Sequence, residues 1–174
     1  MPKITVIAID PSSTQTGYSI YQQRDCSIEL IDFGSIKPPA KLPAVERVES
    51  MVIDLGVLIS KHKPAQGFIE CLGKATYQRG GKSGNAGEHV LRKAWAVLYA
   101  FLVEQLGLYN IYGVTPQTWK GNRPKEYTLD IVNKTYNLEL IPKENDTADA
   151  IYLGGWFLER QKIDPIQPIL RCNL

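Results

Sequence analysis

The hydrophobic pattern changes period several times along the chain, and each change marks a predicted element. Residues 3–9 are almost continuously apolar, which predicts a strand that is buried on both faces. The alternating segments GYSIYQQ and SIELIDFGSI predict two more strands in a meander. From about Leu42 to Lys61, apolar residues recur at steps of three and four, which predicts an amphipathic helix.

The second half of the chain alternates between short strands and helices. The segments QGFIECL and NIYGV are predicted strands, and TPQTWKG begins a predicted turn. Residues 73–87 contain five glycines and are not expected to hold regular structure. A two-sided apolar pattern predicts a helix over 88–106, and further helices are predicted over 125–135 and DTADAIYLGGWFLER. Residues 161–174 contain two prolines and are expected to be irregular.

The order of these elements, β-β-β-α-β-α-β-α-α, predicts an α/β protein with a mixed sheet and helices packed against it. The chain has 174 residues, which is enough for a domain with a core of its own. No internal repeat or linker divides the sequence. We therefore expect a single domain over residues 1–174.

Composition narrows the class of protein only modestly. The net charge is +2, which by itself is a weak indication of a polyanionic partner. The three cysteines, Cys26, Cys71 and Cys172, are far apart and form no CxxC motif, so neither a disulfide framework nor a zinc site is expected. The longest apolar stretch, AWAVLYAFLV, is too short to span a bilayer. These observations predict a cytoplasmic protein with reduced thiols.

Four acidic residues stand at the ends of predicted elements, where an ionised carboxylate is costly to bury. Asp10 ends the first strand, Glu70 ends the fourth, and Asp146 and Asp149 open the last helix on one face. Each aspartate also has an ordinary alternative role, as a turn residue or as a helix cap. If the first and fourth strands are neighbours, however, the four carboxylates converge and repel one another unless cations intervene. Ligation by oxygen alone suits Mg²⁺ or Mn²⁺, and two such ions about 3.5–4 Å apart support phosphodiester hydrolysis.

Two groups of basic residues accompany these acids. They are Lys74, Arg79 and Lys82 in the glycine-rich segment, and Lys120, Arg123 and Lys125 after the last predicted strand. Such cations contact phosphates and position a nucleic acid without reading its bases. The ordinary alternative is a solvated surface in both places.

Taken together, the chain resembles the RuvC-type Holliday junction resolvases, which are nucleases of the RNase H-like superfamily. The resemblance is carried by VIAIDPSSTQTGYSIY (6–21), GFIE (67–70), VTPQTWKG (114–121) with PKEYTLDIV (124–132), and DTADAIYLG (146–154), in the family's order and with similar spacing. It implies an RNase H-like fold, a mixed five-stranded β-sheet flanked by α-helices. It also implies a homodimer that nicks four-way DNA junctions symmetrically, with two Mg²⁺ ions per active site and Mn²⁺ as a substitute.

The resemblance also implies roles for individual residues. The four acids are the implied metal ligands, and Lys120 and Lys125 match two catalytic lysines that approach the scissile region. Family members often carry an aromatic wedge about three positions after the second acid, where this chain has Gly73, so Tyr77 is the candidate for that role. Helix 88–106 is the expected dimer interface. The residues expected to contact branched DNA are Lys74, Tyr77, Arg79, Lys82 and Arg123.

Two other functions fit parts of the pattern. The segment DPSSTQTG also suits an actin-like or sugar-kinase-like phosphotransferase, but that class needs two such folds and 174 residues leave room for one. A related RNase H-like nuclease that acts on RNA or on other branched DNA fits the same acids, because recognition of a 2′-hydroxyl leaves no motif in this sequence.

Overall fold

The computed structural model describes residues 3–24, 27–72 and 84–161, without the side chains of residues 84–88, 125 and 161. Five strands form one sheet in the order β3-β2-β1-β4-β5. The strands are β1 (Ile4–Pro11), β2 (Thr16–Arg24), β3 (Ser27–Ile36), β4 (Gln66–Glu70) and β5 (Ile111–Val114). β1, β2 and β3 form an antiparallel meander, and β4 and β5 extend the sheet parallel to β1.

Helices lie on both faces of this sheet. They are α1 (Ala44–His62), α2 (Gly84–Leu106), α3 (Pro116–Trp119), α4 (Lys125–Tyr136) and α5 (Asn145–Gln161). The prediction of a mixed five-stranded sheet flanked by helices is confirmed. No helix in the described part of the chain is long and apolar enough to cross a membrane.

The continuous apolar run of β1 is explained by its central position between two layers of helices. Val6 and Ala8 point into a core formed with α4 and α5, while Ile7 and Ile9 point into a second core formed with α1 and α2. All four side chains are fully buried. Because successive side chains of a strand face opposite sides, a strand covered on both faces must be apolar at every position.

Hydrogen bonds from β2 fix the position of α5 on the sheet. Ser19 Oγ donates to the Ala150 carbonyl at 2.8 Å, and the buried Tyr21 hydroxyl donates to the Ile151 carbonyl at 2.7 Å. Gly154 leaves room for the Tyr21 ring, since a Cβ there would lie 2.6 Å from Cε2 of that ring. These contacts fix α5 against β2.

Four sequence predictions need correction or qualification. α2 begins at Gly84 rather than at 88, so the last part of the segment predicted to lack regular structure is helical. The predicted turn after β5 contains the one-turn helix α3, because Pro116 occupies its first position, where the missing N–H costs nothing. Cys71 is disulfide-bonded, so the prediction of reduced thiols is wrong for this residue, and its partner lies outside the described residues. The tail predicted to be irregular also lies outside them from residue 162 onwards.

Candidate active site

Two of the acids are brought together by the pairing of parallel strands. Ile9 on β1 is the register partner of Ile69 on β4, so the next residues along, Asp10 and Glu70, stand side by side where these strands end. Asp10 is only 9% exposed. The Glu70 side chain is close enough to interact with the Asp10 carboxyl through a hydrogen bond. The sequence prediction that these two acids lie near each other holds.

The other two acids arrive on α5. Gly17 on β2 is the register partner of Asp10, and a Cβ at Gly17 would overlap the backbone carbonyl of Asp146. The first turn of α5 therefore rests directly on the strand next to Asp10. Asp149 follows one turn later on the same face of the helix. The structure thus brings all four predicted acids to one end of the sheet.

The electrostatics of Asp10 and Glu70 report how close the four acids are. Burial raises the pKa of Asp10 well above its ordinary value, and the carboxylates of Glu70, Asp149 and Asp146 raise it further. Burial and the Asp149 carboxylate raise the pKa of Glu70 to about 7. The Lys120 ammonium opposes both increases. Crowded, desolvated carboxylates of this kind favour protonation or the arrival of positive charge.

Side chains from three parts of the chain donate hydrogen bonds to the two aspartates of α5. Lys120 Nζ lies 2.6 Å from Asp149 Oδ2 in an ion pair whose side chains are only 11% and 13% exposed. The buried Thr128 hydroxyl on α4 also donates to Asp149. Gln15, in the turn between β1 and β2, donates from Nε2 to Asp146 Oδ2 at 2.7 Å. Asp149 is therefore neutralised by a cation, whereas Asp146 is held by an uncharged amide.

Two tryptophans surround Glu70. Trp95 Nε1 on α2 donates to the backbone carbonyl of Glu70 at 2.9 Å. The buried Trp119 Nε1 makes no full hydrogen bond among the described residues, yet its N–H lies close enough to the Glu70 carboxylate to lower the pKa of that group. Both tryptophan side chains are buried, and Trp119 in addition presents its N–H to Glu70.

The donor set suits a hard divalent cation, although the side chains are not yet gathered around one. Within the described residues, no three His, Cys, Asp or Glu side chains are arranged so that they could hold a metal ion as they stand. In this arrangement Lys120 and Gln15 each donate to one carboxylate oxygen of the α5 acids. The chemistry still fits, since four carboxylates offer only oxygen ligands and two of them are desolvated enough to favour added positive charge.

Comparison with known proteins finds similarity to one family. The family model described as "Crossover junction endodeoxyribonuclease RuvC" matches residues 6–79. A curated protein of that name from Halothermothrix orenii is 28% identical over 157 residues, which cover 87% of this chain and 90% of the relative. The chain is therefore similar to RuvC along most of its length.

Solved structures of Holliday junction resolvases have the same fold as this chain. Thermus thermophilus RuvC in complex with a Holliday junction substrate matches with a TM-score of 0.73 at 19% identity, covering 95% of this chain and 99% of that one. The yeast mitochondrial Holliday junction resolvase matches with a TM-score of 0.63 at 11% identity, covering 90% of this chain and 78% of that one. At these identities the likeness establishes the fold.

The remaining residues predicted from the RuvC resemblance fall into three groups. Arg123 is exposed near the site, where its guanidinium lies 4.3 Å from the centre of the Tyr127 ring and donates to the Tyr152 hydroxyl at 3.3 Å. Lys125 opens α4, and its side chain is not among those described. The other predicted residues lie outside the described ranges, and they are the wedge position Gly73 and the DNA-contacting candidates Lys74, Tyr77, Arg79 and Lys82.

Sequence reasoning missed three contributors to this site. Gln15 was not distinguished from the other small and polar residues of its turn, and Thr128 looked like an ordinary residue of an amphipathic helix. The interaction of Trp119 with Glu70 leaves no mark in the sequence either. For Gln15 and Thr128, only their positions in the sequence could have indicated these roles. Gln15 lies between Asp10 and the start of β2, and Thr128 stands on the apolar face of α4 beside Leu129.

Proposed function

We propose that this protein is a RuvC-type crossover junction endodeoxyribonuclease, which hydrolyses phosphodiesters in four-way DNA junctions. The observation that carries this proposal is the convergence of four carboxylates and one buried lysine at one end of the sheet. The curated relatives bear the name of that activity, and one structural neighbour was solved with a Holliday junction substrate. Nucleases of this family depend on divalent metal, and we propose Mg²⁺, with Mn²⁺ as a substitute and two ions per site.

In this proposal the four acids hold the cations. Asp10 and Glu70 form the floor of the site on neighbouring strands, and Asp146 and Asp149 close it from α5. Two bound cations supply an activated water and neutralise charge on the leaving oxygen. The protein keeps the acids together at a cost, because desolvation and repulsion raise the pKa of Asp10 and Glu70.

Lys120 has a defined position in this site. Its ammonium forms an ion pair with the Asp149 carboxylate, and it lowers the pKa of both Asp10 and Glu70. A cation held by Asp149 would compete with this ion pair, and Lys120 would then be able to donate to a phosphate oxygen. Lys125 at the start of α4 is proposed to approach the same region.

DNA is proposed to follow the basic residues away from the acids. Arg123 is exposed and stands beside the aromatic rings of Tyr127 and Tyr152, which gives it a rigid setting from which to contact a phosphate. The lysines and arginine of segment 73–83 are proposed to contact the other arms of the junction, and Tyr77 is proposed as the wedge in place of Gly73. Such contacts position the duplexes without reading their sequence.

The experiment is a cleavage assay on a labelled four-way junction, with flap DNA, an RNA–DNA hybrid and structured RNA alongside. We expect paired symmetric nicks in the four-way DNA with Mg²⁺ or Mn²⁺ and none in EDTA. Asp10→Asn and Asp149→Asn are expected to abolish cleavage and to retain junction binding. Asp54→Asn, on the exposed face of α1, is the matched control and should cleave normally. Cleavage by both site variants, or a strong preference for the hybrid, contradicts the proposal.

We further propose that the chain forms a homodimer through α2 together with α1. Four large apolar side chains are exposed on these two helices, which is unusual for a surface that stays in water. Their exposed fractions are 69% for Val45, 66% for Ile53, 61% for Val57 and 46% for Val97. The two-sided apolar pattern of the second helix suggested this interface, and the exposed stripe of α1 extends it.

The surface between the two helices has the features of an isologous contact. A cleft of about 440 Å³ opens between α1 and α2, and its walls include Val48 and Val90. Glu49 and Lys93 also line it, one on each helix. Opposite charges beside one apolar patch allow two copies to pair through the same surface, as a two-fold axis requires.

Light scattering tests the dimer directly. We expect a dimer for the wild-type chain and monomers for Ile53→Asp and Val97→Asp. Thermal unfolding should show that the monomers of both variants are still folded. Ile141→Asp, at a position 53% exposed outside α1 and α2, is the matched control and should remain dimeric. A wild-type chain that stays monomeric at micromolar concentration, with and without DNA, contradicts this part of the proposal.

A further inference from the structure

The turn between β1 and β2 carries a second polar group toward the acids besides Asp10. Ser12 N–H donates to the Gln15 carbonyl at 3.0 Å, and the Ser12 hydroxyl accepts from Gln15 N–H at 3.2 Å. These two bonds close the turn on itself and fix the backbone of Gln15. The Gln15 side chain is half-buried, and its amide reaches Asp146, which is 131 residues away in the sequence.

We infer that Gln15 is a positioning residue for the metal-binding acids. Its Nε2 donates to Asp146 Oδ2 at 2.7 Å, which fixes the rotation of that carboxylate and leaves Oδ1 as the oxygen available to a cation. Groups that hydrogen-bond a ligating side chain orient it, and their loss typically weakens metal binding about 10–100-fold. This inference rests on the proposed function, because it assigns Gln15 to the same metal site.

The chemical nature of the donor matters for this role. A glutamine amide donates a hydrogen bond without adding charge, so Asp146 keeps its full attraction for a cation. The contrast with Asp149 is direct, since there an ammonium must be displaced from the carboxylate before metal can bind. Asp146 is therefore prepared for metal in the free protein, whereas Asp149 joins only when Lys120 moves.

The position of Gln15 also ties two acids to one turn. Asp10 is the register partner of Gly17, and Gly17 contacts the backbone of Asp146. The turn thus supports the side chain of Asp146 through Gln15 while the strand beyond it supports the backbone. A substitution at Gln15 removes only the first of these supports, which makes the side-chain contribution separable from the fold.

The test uses Gln15→Met, which keeps the length of the side chain and removes the donor, and Gln15→Glu, which replaces the donor with a carboxylate that repels Asp146. Ser13→Ala in the same turn is the control. The first readout is Mn²⁺ binding to the full chain without DNA. It is measured by calorimetry and by the rise in melting temperature as the Mn²⁺ concentration increases. The second readout is junction cleavage across a Mn²⁺ titration.

We expect Gln15→Met to weaken Mn²⁺ binding about 10–100-fold, and Gln15→Glu to fall in that range or beyond it. Cleavage by Gln15→Met should recover to near the wild-type rate at saturating Mn²⁺, with unchanged junction affinity in EDTA. Wild-type Mn²⁺ affinity in Gln15→Met overturns the inference and leaves the nuclease proposal standing. A wild-type chain that binds no Mn²⁺ and cleaves no junction overturns both.

Discussion

Gly17 on β2 lies directly against the backbone of Asp146 on α5, with no space for a side chain between them. The same glycine is the register partner of Asp10, so one residue links the strand that carries the first acid to the helix that carries the third. The distance between these two acids is therefore set by backbone contact. Any atom added at Gly17 must move the helix.

Gly17→Ala is expected to impair both stability and cleavage. The added methyl overlaps the Asp146 carbonyl, and overpacking of this kind typically costs about 1–3 kcal/mol of unfolding free energy. Chemical denaturation measures this loss, and the Mn²⁺ titration of cleavage should shift to higher concentration because Asp146 is displaced. Gly56→Ala in the middle of α1 is the matched control, since its Cβ meets only a Phe101 ring carbon at 3.3 Å and alanine favours the helix. Equal stability and equal cleavage of the two variants would show that the contact between Gly17 and Asp146 does not restrict the position of α5.

Asp10→Asn is expected to stabilise the protein while abolishing cleavage. The folded-state pKa of Asp10 is raised, and that of Glu70 is raised from 4.5 to about 7, mainly by burial. For acids shifted upward, the stabilising contribution is complete below the unfolded-state pKa and is lost as pH rises through the folded-state pKa. In EDTA the wild-type chain should therefore lose unfolding free energy between about pH 5 and 8, by about 1–3 kcal/mol.

The asparagine variant removes one of the repelling charges, so its unfolding free energy at about pH 8 should exceed that of the wild type. Denaturation in EDTA across this pH range measures the difference. Asp54→Asn, which changes an exposed carboxylate, should leave the wild-type profile in place. A loss of stability in Asp10→Asn at alkaline pH would mean that the buried carboxylate has a structural role.

Lys120→Met is expected to move the pH dependence of cleavage upward. The ammonium lowers the pKa of both Asp10 and Glu70, so its removal raises both values and the acids keep their protons to higher pH. Protons then compete more strongly with metal for the same carboxylates. A pH–rate profile at fixed Mg²⁺ should show its acid limb displaced to higher pH, and the maximal rate should fall as well. Lys134→Met, at an exposed position of α4, should leave the acid limb unchanged.

Asp32→Asn is expected to change the stability of the protein at acid pH and to leave junction cleavage unchanged. Asp32 lies on the edge strand β3, 2.8 Å from Lys61 Nζ and 2.7 Å from His62 Nε2. Burial acts to raise the pKa of Asp32, but the hydrogen bonds from Lys61 and His62 outweigh it and lower the pKa below 3.8. Stabilisation by this carboxylate is therefore present above about pH 4 and is lost as pH falls through the folded-state value.

The Asp32→Asn variant should lose about 1 kcal/mol or less of unfolding free energy at neutral pH, since Lys61 is 62% exposed and the ion pair is screened by solvent. Its unfolding free energy should also depend less on pH on the acid side. Acid titration of denaturation, together with the junction assay, separates the two effects. Loss of cleavage in a variant of normal stability would show that this cluster reaches the active site.

The acids could be predicted from sequence because each one ends or opens an element whose hydrophobic pattern is unambiguous. Their meeting point required strand order, and the apolar pattern of β1 indicates only that it is central, without identifying β4 as its neighbour. The resemblance to a known family supplied that order. Gln15 and the N–H of Trp119 could not be predicted, because their roles depend on which side chains α5 and β4 bring within hydrogen-bonding distance. The start of α2 at Gly84 was missed because glycine content argued against a helix that the fold nevertheless extends.

The spacing of the four acids along the chain has a consequence for synthesis. Asp10 and Glu70 emerge early from a translating ribosome, but Asp146 and Asp149 emerge only after the whole sheet has been made. A chain interrupted before Asn145 contains only half of the carboxylates and lacks the α5 side chains Ile151, Leu153 and Phe157 that fill one of the two cores. Truncated products are therefore expected neither to complete the fold nor to assemble the four acids, so the same helix that finishes the core also finishes the site.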